Sequence, residues 1–398
     1  MKRFVICLDG TWNNASKENE RDDGSKVFRP TNVLKMARAT EKYDRDGNLQ
    51  ITYYDEGVGA MNRAPNMRTK MVRFFDNKLG GGWGAGFEVN IEEAYTFLAN
   101  NYDHADEVFI FGFSRGASQA RSLCNLIEWA GGFPAKNDVY YIPRIVTAYL
   151  EARGQGSVNT LIDALNLRRA QRNDPPLEPF LVPKMAFLGV WDTVLALGSR
   201  IQARAGSSDE SLRFHTPSTP PRSVRSIRHA LAIDEQRHDF QAEIFNGPGE
   251  CRDFEQRWFA GVHSNVGGGL MDDSLANCAL LWMVEQAAAC GLALNPAYLK
   301  FFRCYAAGKA SEKTVFYKAG DTLMQPIRGF QGIRQLTAAA GSTLDKSVLT
   351  RLNANPAEHK NLGEAYRPEN LLAYLAANPA YDHELNKDLL ATVTRMRG

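Results

Sequence analysis

The residues best suited to chemistry stand in three short runs, each directly after an apolar stretch. The first is Gly112-Phe113-Ser114-Arg115-Gly116. A serine flanked by glycines two positions away on either side, after the strand-like run 107–111 and before the helical pattern 117–130, predicts a nucleophile elbow. The serine then sits at a sharp strand-to-helix turn, where Gly112 and Gly116 leave room for its Oγ to stand clear of the sheet. The helix start behind it puts the Arg115 backbone N–H where an oxyanion would form.

A nucleophilic serine needs a base, and the base needs an orienting carboxylate; on such folds the chain order is serine, acid, histidine. Asp192 follows MAFLGVW, and His263 follows WFAGV and precedes SNVGGG. A turn aspartate and a half-buried structural histidine are the competing readings; order and position favour the acid and the base. Asn265, in the loop after the histidine, is a supporting residue. Asp234, in ALAIDEQR, is the reserve acid. His229 and His238 flank that segment without directly following a strand of the apolar series, which points to structural or lid roles. His104, His215, His359 and His383 sit in polar surroundings and read as solvated.

Leu8-Asp9-Gly10-Thr11-Trp12 also comes straight off a strand-like run. The second oxyanion donor is then a backbone N–H of Thr11 or Trp12, with Asp9 pinning the loop. An acidic residue there can instead hold a metal for phosphotransfer, but beyond Asp192 no further carboxylates are grouped at the other strand ends, which makes that reading the weaker one; acyl transfer by a serine, acid and histidine requires neither a metal nor an organic cofactor. The glycine-rich run 80–86 lacks the Lys-Ser/Thr of a phosphate loop and reads as a flexible loop near the site mouth. YYDEGVG at 53–59 lines the same mouth.

The elements that must position these residues alternate. Strands are expected at 3–8, 51–54, 107–111, 184–190 and 256–260, and helices at 87–100, 117–130 and 274–290. This order predicts an α/β fold, a mostly parallel central sheet with helices on both faces and ligands at the carboxyl edge of the strands. The proline-bearing stretches 137–183 and 199–228 read as lid insertions, and the apolar residues of 139–150 serve either lid opening or core packing. The segment 300–398 reads as a mostly helical portion of one domain spanning 1–398.

Composition narrows the function classes. With 47 Lys+Arg against 45 Asp+Glu the net charge is +2, too small an excess for a binder driven by nucleic-acid phosphates. The five apolar residues before Asp9 are too short for a signal peptide, and the weakly charged stretch 276–299 is too interrupted to span a membrane. Six scattered cysteines without a CxxC pair predict reduced thiols in the cytoplasm of the producing cell.

DGTWN at 9–13, PTNV at 30–33, GFSRGA at 112–117, GVWDTV at 189–194, ALAIDE at 230–235 and WFAGVHSNVGGG at 258–269, with YYDEGVG, resemble the bacterial family named after type VI secretion phospholipase effectors. LDKSVLTRL at 344–352 and YRPENL at 366–371 are similar to it as well. The resemblance implies an α/β-hydrolase fold, a triad of Ser114, Asp192 and His263, and a phospholipid acyl ester as substrate. It further implies peripheral membrane contact, export by a specialised secretion system, and a secretion-apparatus or immunity partner. One position departs from the family: Asn265 stands where its members usually carry aspartate. Two rival functions remain open at this point: a carboxylesterase or lipase on soluble or polymeric esters, and a non-catalytic interaction module on the same fold.

Overall fold

A computed structural model of the chain describes residues 1–10, 18–20, 26–56, 85–194, 216–237, 240–308, 334–336, 341–359 and 362–397. Its central sheet has seven strands, all parallel: β1 Lys2–Leu8, β4 Leu49–Asp55, β5 Glu107–Phe113, β6 Lys184–Trp191, β7 Val224–Ala232, β8 Asp253–Phe259 and β9 Ser342–Leu344, in the order β4-β1-β5-β6-β7-β8-β9. A separate pair, β2 Glu18–Glu20 and β3 Lys26–Phe28, runs antiparallel.

Alternation along the central strands divides their side chains between two cores, because successive residues of a strand point to opposite faces. Phe4, Ile6, Leu8, Val108 and Ile110 pack on one face with residues of α2 Ala85–Asn101, such as Tyr95 and Leu98, and of α3 Arg115–Ala130, such as Leu123 and Ile127. Val5, Cys7, Phe109, Phe111 and Phe113 pack on the other face, with Met36 of α1 Asn32–Ala39 and Trp282 and Met283 of helix Ser274–Ala289. Strands buried on both sides read as continuous apolar runs, which is why β1, β5 and β6 are plain in the sequence. A third cluster seats the C-terminal helices Lys346–Asn353, Glu369–Ala377 and Lys387–Arg397 on Leu231, Ile233 and Trp258 through Leu349, Leu371, Leu375 and Val393.

Two features differ from the sequence expectation, and one, the second below, falls on one of the two alternatives it left open. First, the stretch read as an insertion to residue 228 contains the start of β7. Arg225 and Arg228 give that strand a polar look, yet Arg228 is buried, held by Asp253 at 2.7 Å and by Gln286 Oε1 at 2.7 Å. Residues 199–215 of the same stretch lie outside the described residues, as do His215, His238, 57–59 and 80–84. Second, in the stretch 137–183 the apolar face of helix Ile142–Glu151 (Ile142, Ile145, Val146, Tyr149) joins the first core. The Tyr149 hydroxyl there accepts from Asn125 Nδ2 at 2.7 Å. Third, Cys278 and Cys304 form a disulfide rather than two thiols, tying helix Ser274–Ala289 to the segment after residue 300.

The topology locates the crevice. From β1 the chain pairs β4 on one side, and β5 then crosses to the other side of β1, where all later strands are added. Ligands of open α/β sheets sit outside the carboxyl ends of the strands at such a reversal. Asp9 and Ser114 are the first residues after β1 and β5.

Candidate active site

Ser114 occupies the turn between β5 and α3 with φ 60° and ψ −125°, a conformation that costs a non-glycine residue about 1–3 kcal/mol. Its N–H donates to the Trp191 carbonyl at 3.1 Å, and its carbonyl accepts from Ala117 N at 3.1 Å, so neighbouring backbone holds the strained residue in place. The glycines around it are steric requirements. A Cβ on Gly112 would overlap the Gly116 carbonyl and stand 2.7 Å from Ala117 Cα; one on Gly116 would overlap the Leu8 carbonyl oxygen and stand 2.6 Å from that of Asp9. The start of α3 therefore lies directly on the end of β1. Arg115 opens this helix, with its backbone N–H in the first turn, where amides point out of the N-terminus. Burial lowers its guanidinium pKa to about 10.

Asp192 and His263 meet. Asp192 immediately follows β6, is fully buried, and its Oδ2 lies 2.6 Å from His263 Nδ1. Backbone fixes the carboxylate: Ala232 N donates to Oδ1 at 2.9 Å, and Asp192 N donates to the Ala230 carbonyl at 2.7 Å. Burial works to raise its pKa, but the charge of Arg334 and the hydrogen bond and charge of His263 prevail and hold it well below the usual carboxylate range. His263 opens the short helix His263–Gly267 just past β8. Burial lowers its pKa against the opposing hydrogen bond and charge of Asp192, and so favours the neutral imidazole. An imidazole that donates from Nδ1 to a carboxylate presents Nε2 as a base. Phe113, the residue before Ser114, packs its ring 4.6 Å from the imidazole, and Phe240 closes another side at 4.9 Å. The carboxyl ends of β5, β6 and β8 are thus brought together at this point.

The reserve acid does other work. Asp234 Oδ2 accepts from Gly261 N at 2.6 Å, and both its oxygens accept from the Tyr366 hydroxyl, at 3.0 and 2.9 Å. It joins the ends of β7 and β8 to the C-terminal portion, while the carboxylate on His263 is that of Asp192. Asn265 Oδ1 accepts from Val262 N at 3.2 Å, bracing the residue before the histidine. Asp9 accepts from Gly10 N at 2.6 Å, Thr31 Oγ1 at 2.5 Å and Tyr54 Oη at 2.7 Å, and so ties the end of β1 to the start of helix Asn32–Ala39 and to β4. Thr11 and Trp12 lie outside the described residues.

Three neighbours have partners that the sequence did not show. Glu235 accepts from His263 N at 3.2 Å and is ion-paired with Arg237 at 2.7 Å. Arg334 pairs with Asp192 at 2.7 Å. His229, inside β7, takes the Thr193 N–H on Nε2 at 3.3 Å, which assigns the proton to Nδ1, 3.1 Å from Gln256 Oε1. No periodicity or spacing marks any of the three, since each is defined by a partner on another strand or segment.

His229 carries a pH prediction. Burial first, and the charge of Arg121 second, lower its pKa to about 3. The unfolded chain takes up this proton below roughly pH 6.5. Stability present above that pH is therefore lost on acidification toward about pH 3, by on the order of 1 kcal/mol per pH unit for one site. His263 acts in the same direction. Urea denaturation at pH 7 and pH 5 should show a smaller loss for His229→Gln than for wild type, and equal losses would refute the assignment.

Residues 2–286 match the family model described as "T6SS, Phospholipase effector Tle1-like, catalytic domain". An uncharacterized protein of Saccharomyces cerevisiae is 26% identical over 249 residues, 61% of this chain and 33% of its own length. Among solved structures, an uncharacterized protein from Pseudomonas aeruginosa aligns with 99% of this chain and 61% of its own, at 17% identity and a TM-score of 0.43. A Tle1 effector bound to the VgrG spike from the type 6 secretion system aligns with 68% of this chain and 51% of its own, at 19% identity and a TM-score of 0.35. The chain spans about a third of the length of that curated relative. The family match covers well over half of the chain, and the protein therefore belongs to the T6SS Tle1-like phospholipase effector catalytic domain family.

Proposed function

We propose that the protein is a serine ester hydrolase, a phospholipase that cleaves acyl esters of membrane phospholipids. Ser114 Oγ attacks the ester carbonyl as His263 Nε2 takes its proton, and Asp192 steadies the resulting imidazolium. The Arg115 N–H and an N–H of the loop after β1, at Thr11 or Trp12, stabilise the oxyanion. The imidazolium returns the proton to the departing alcohol, and water then releases the fatty acid by the same steps. The observation that carries this reading is the 2.6 Å hydrogen bond between the buried Asp192 and His263 Nδ1, beside a serine held at positive φ between two obligatory glycines. Family membership supports phospholipid over soluble ester. It also supports export by a type VI apparatus, with a component of that apparatus as partner and peripheral contact with the target membrane.

The test is hydrolysis of phosphatidylethanolamine/phosphatidylglycerol vesicles beside a short-chain p-nitrophenyl ester, with released fatty acid identified by mass spectrometry and a fluorophosphonate probe mapped by peptide. Fatty acid from vesicles, together with an adduct on Ser114, is the expected result. Cleavage of the soluble ester alone would make the protein an esterase. Hydrolysis of neither, with no adduct, would make it an interaction module on a hydrolase fold.

A further inference from the structure

The Asp192 carboxylate has a second side-chain partner besides the imidazole. Arg334 grips it with both prongs of its guanidinium, Nη1 2.7 Å from Oδ1 and Nη2 3.1 Å from Oδ2. Both side chains are almost wholly removed from solvent, at 7% and 0% exposure. The same guanidinium donates to the carbonyls of Ala232, at 2.8 Å, and Phe240. It thereby ties the acid to the last residue of β7 and to the residue whose ring walls the imidazole. Behind it, Asn370 Nδ2 donates to the carbonyls of Arg334, at 2.9 Å, and Ile233, at 3.0 Å. Arg334 and Asn370 both lie beyond residues 2–286, the part of the chain that matches the family.

We infer that Arg334 is a positioning residue of the hydrolytic site, fixing the Asp192 carboxylate and sharing its charge with His263, so that the C-terminal segment completes the acid–base pair. The inference rests on the catalytic reading of Ser114, Asp192 and His263. Its physical ground is that a buried carboxylate with only an imidazole for company must either take a proton or pull one firmly onto that imidazole. A bidentate arginine prevents the first by keeping the acid ionised, and limits the second by neutralising part of its field. The titratable and charged groups facing His263 are Asp192 and the mutually paired Glu235 and Arg237; those facing Asp192 are Arg334 and the imidazoles of His263 and His229. Removing Arg334 therefore leaves Asp192 unbalanced and favours the imidazolium.

The full-length chain is tested as wild type, Arg334→Gln and Arg334→Lys. The His263 imidazole is titrated by NMR, its signal assigned by its loss in His263→Asn, and the pH profile of kcat/KM is measured on the best ester. Arg334→Gln should raise the His263 titration midpoint and the acidic limb of the profile by about one pH unit. Arg334→Lys keeps the charge but not the two-pronged grip; it should leave both midpoints near wild type and lower kcat about tenfold with KM unchanged. A folded Arg334→Gln protein whose His263 titrates as in wild type would overturn the inference. Should the glutamine variant not fold, a lysine variant with wild-type kcat would do the same. Wild type that hydrolyses no ester would instead defeat the catalytic reading, and the NMR titration would still decide whether Arg334 governs the imidazole.

Discussion

On the proposed mechanism, Ser114→Ala should lower ester hydrolysis by about 10⁴-fold or more and leave the fold as stable as before. The expected size rests on serine and histidine acting as one unit in that mechanism: without the attacking oxygen, only substrate binding and oxyanion stabilisation by backbone amides would remain. Asp192→Asn should cost on the order of 10⁴ as well, because an amide cannot hold His263 in the tautomer that presents Nε2. The stability half of the prediction comes from backbone geometry. Alanine carries the same Cβ into the same φ of 60°, so the strain is unchanged. Ser114→Gly removes that Cβ and should gain about 1 kcal/mol while being equally inactive. Steady-state kinetics with urea denaturation check both halves. An alanine variant keeping a tenth of wild-type activity would show that the nucleophile lies elsewhere, and a glycine variant no more stable than wild type would show that the turn stores no strain.

Gly116→Ala should destabilise the protein by about 4–5 kcal/mol, at the upper end for single substitutions and a large share of the 5–15 kcal/mol by which domains are stable. Helix propensity alone predicts the opposite sign, since alanine in a helix gains about 1 kcal/mol over glycine. Steric overlap decides the outcome. The added methyl would stand inside the Leu8 carbonyl oxygen, and Leu8 is locked between Asp55 and Gly112 in the sheet register. Neither backbone can give way, so α3 must lift from β1 and carry Ser114 with it. Gly131, with φ 70° and open space around its Cβ position, is the matched control; Gly131→Ala should cost only about 1 kcal/mol. A Gly116→Ala protein with a wild-type urea midpoint would refute the contact on which the elbow depends.

The parts of the site legible in the sequence are those whose cause is local. Gly112 and Gly116 are needed by a turn contained within five residues, Asp192 follows an apolar run that is a buried strand, and His263 follows the apolar, buried end of another. Strand β7 was hidden because Arg225 and Arg228 break its apolar pattern, and the partners that make Arg228 tolerable, Asp253 and Gln286, stand on other elements. Strand β9 was hidden by its length, three residues that become a strand only against β8. Arg334 meets Asp192 across 142 residues, and Cys278 meets Cys304 across 26, with no motif announcing either encounter. Asp9 shows the intermediate case. Its position after a strand was readable, whereas its partners Thr31 and Tyr54 come from the segment before helix Asn32–Ala39 and from the neighbouring strand.

The one-sided growth of the sheet has a bearing on solubility. From β5 onward each strand is laid on the outer edge of the one before, so shortening the chain from its C-terminus peels strands from that edge alone. Cutting at residue 286, the end of the family match, would remove β9 and the helices that cover Trp258 and Leu231, leaving β8 with an open row of amides and carbonyls beside uncovered apolar surface. Such an edge is a template for strand addition between copies. A fragment trimmed to the family boundary is therefore expected to aggregate more readily than the whole chain, and the short strand Ser342–Leu344 is the outermost strand on that side of the sheet among the described residues.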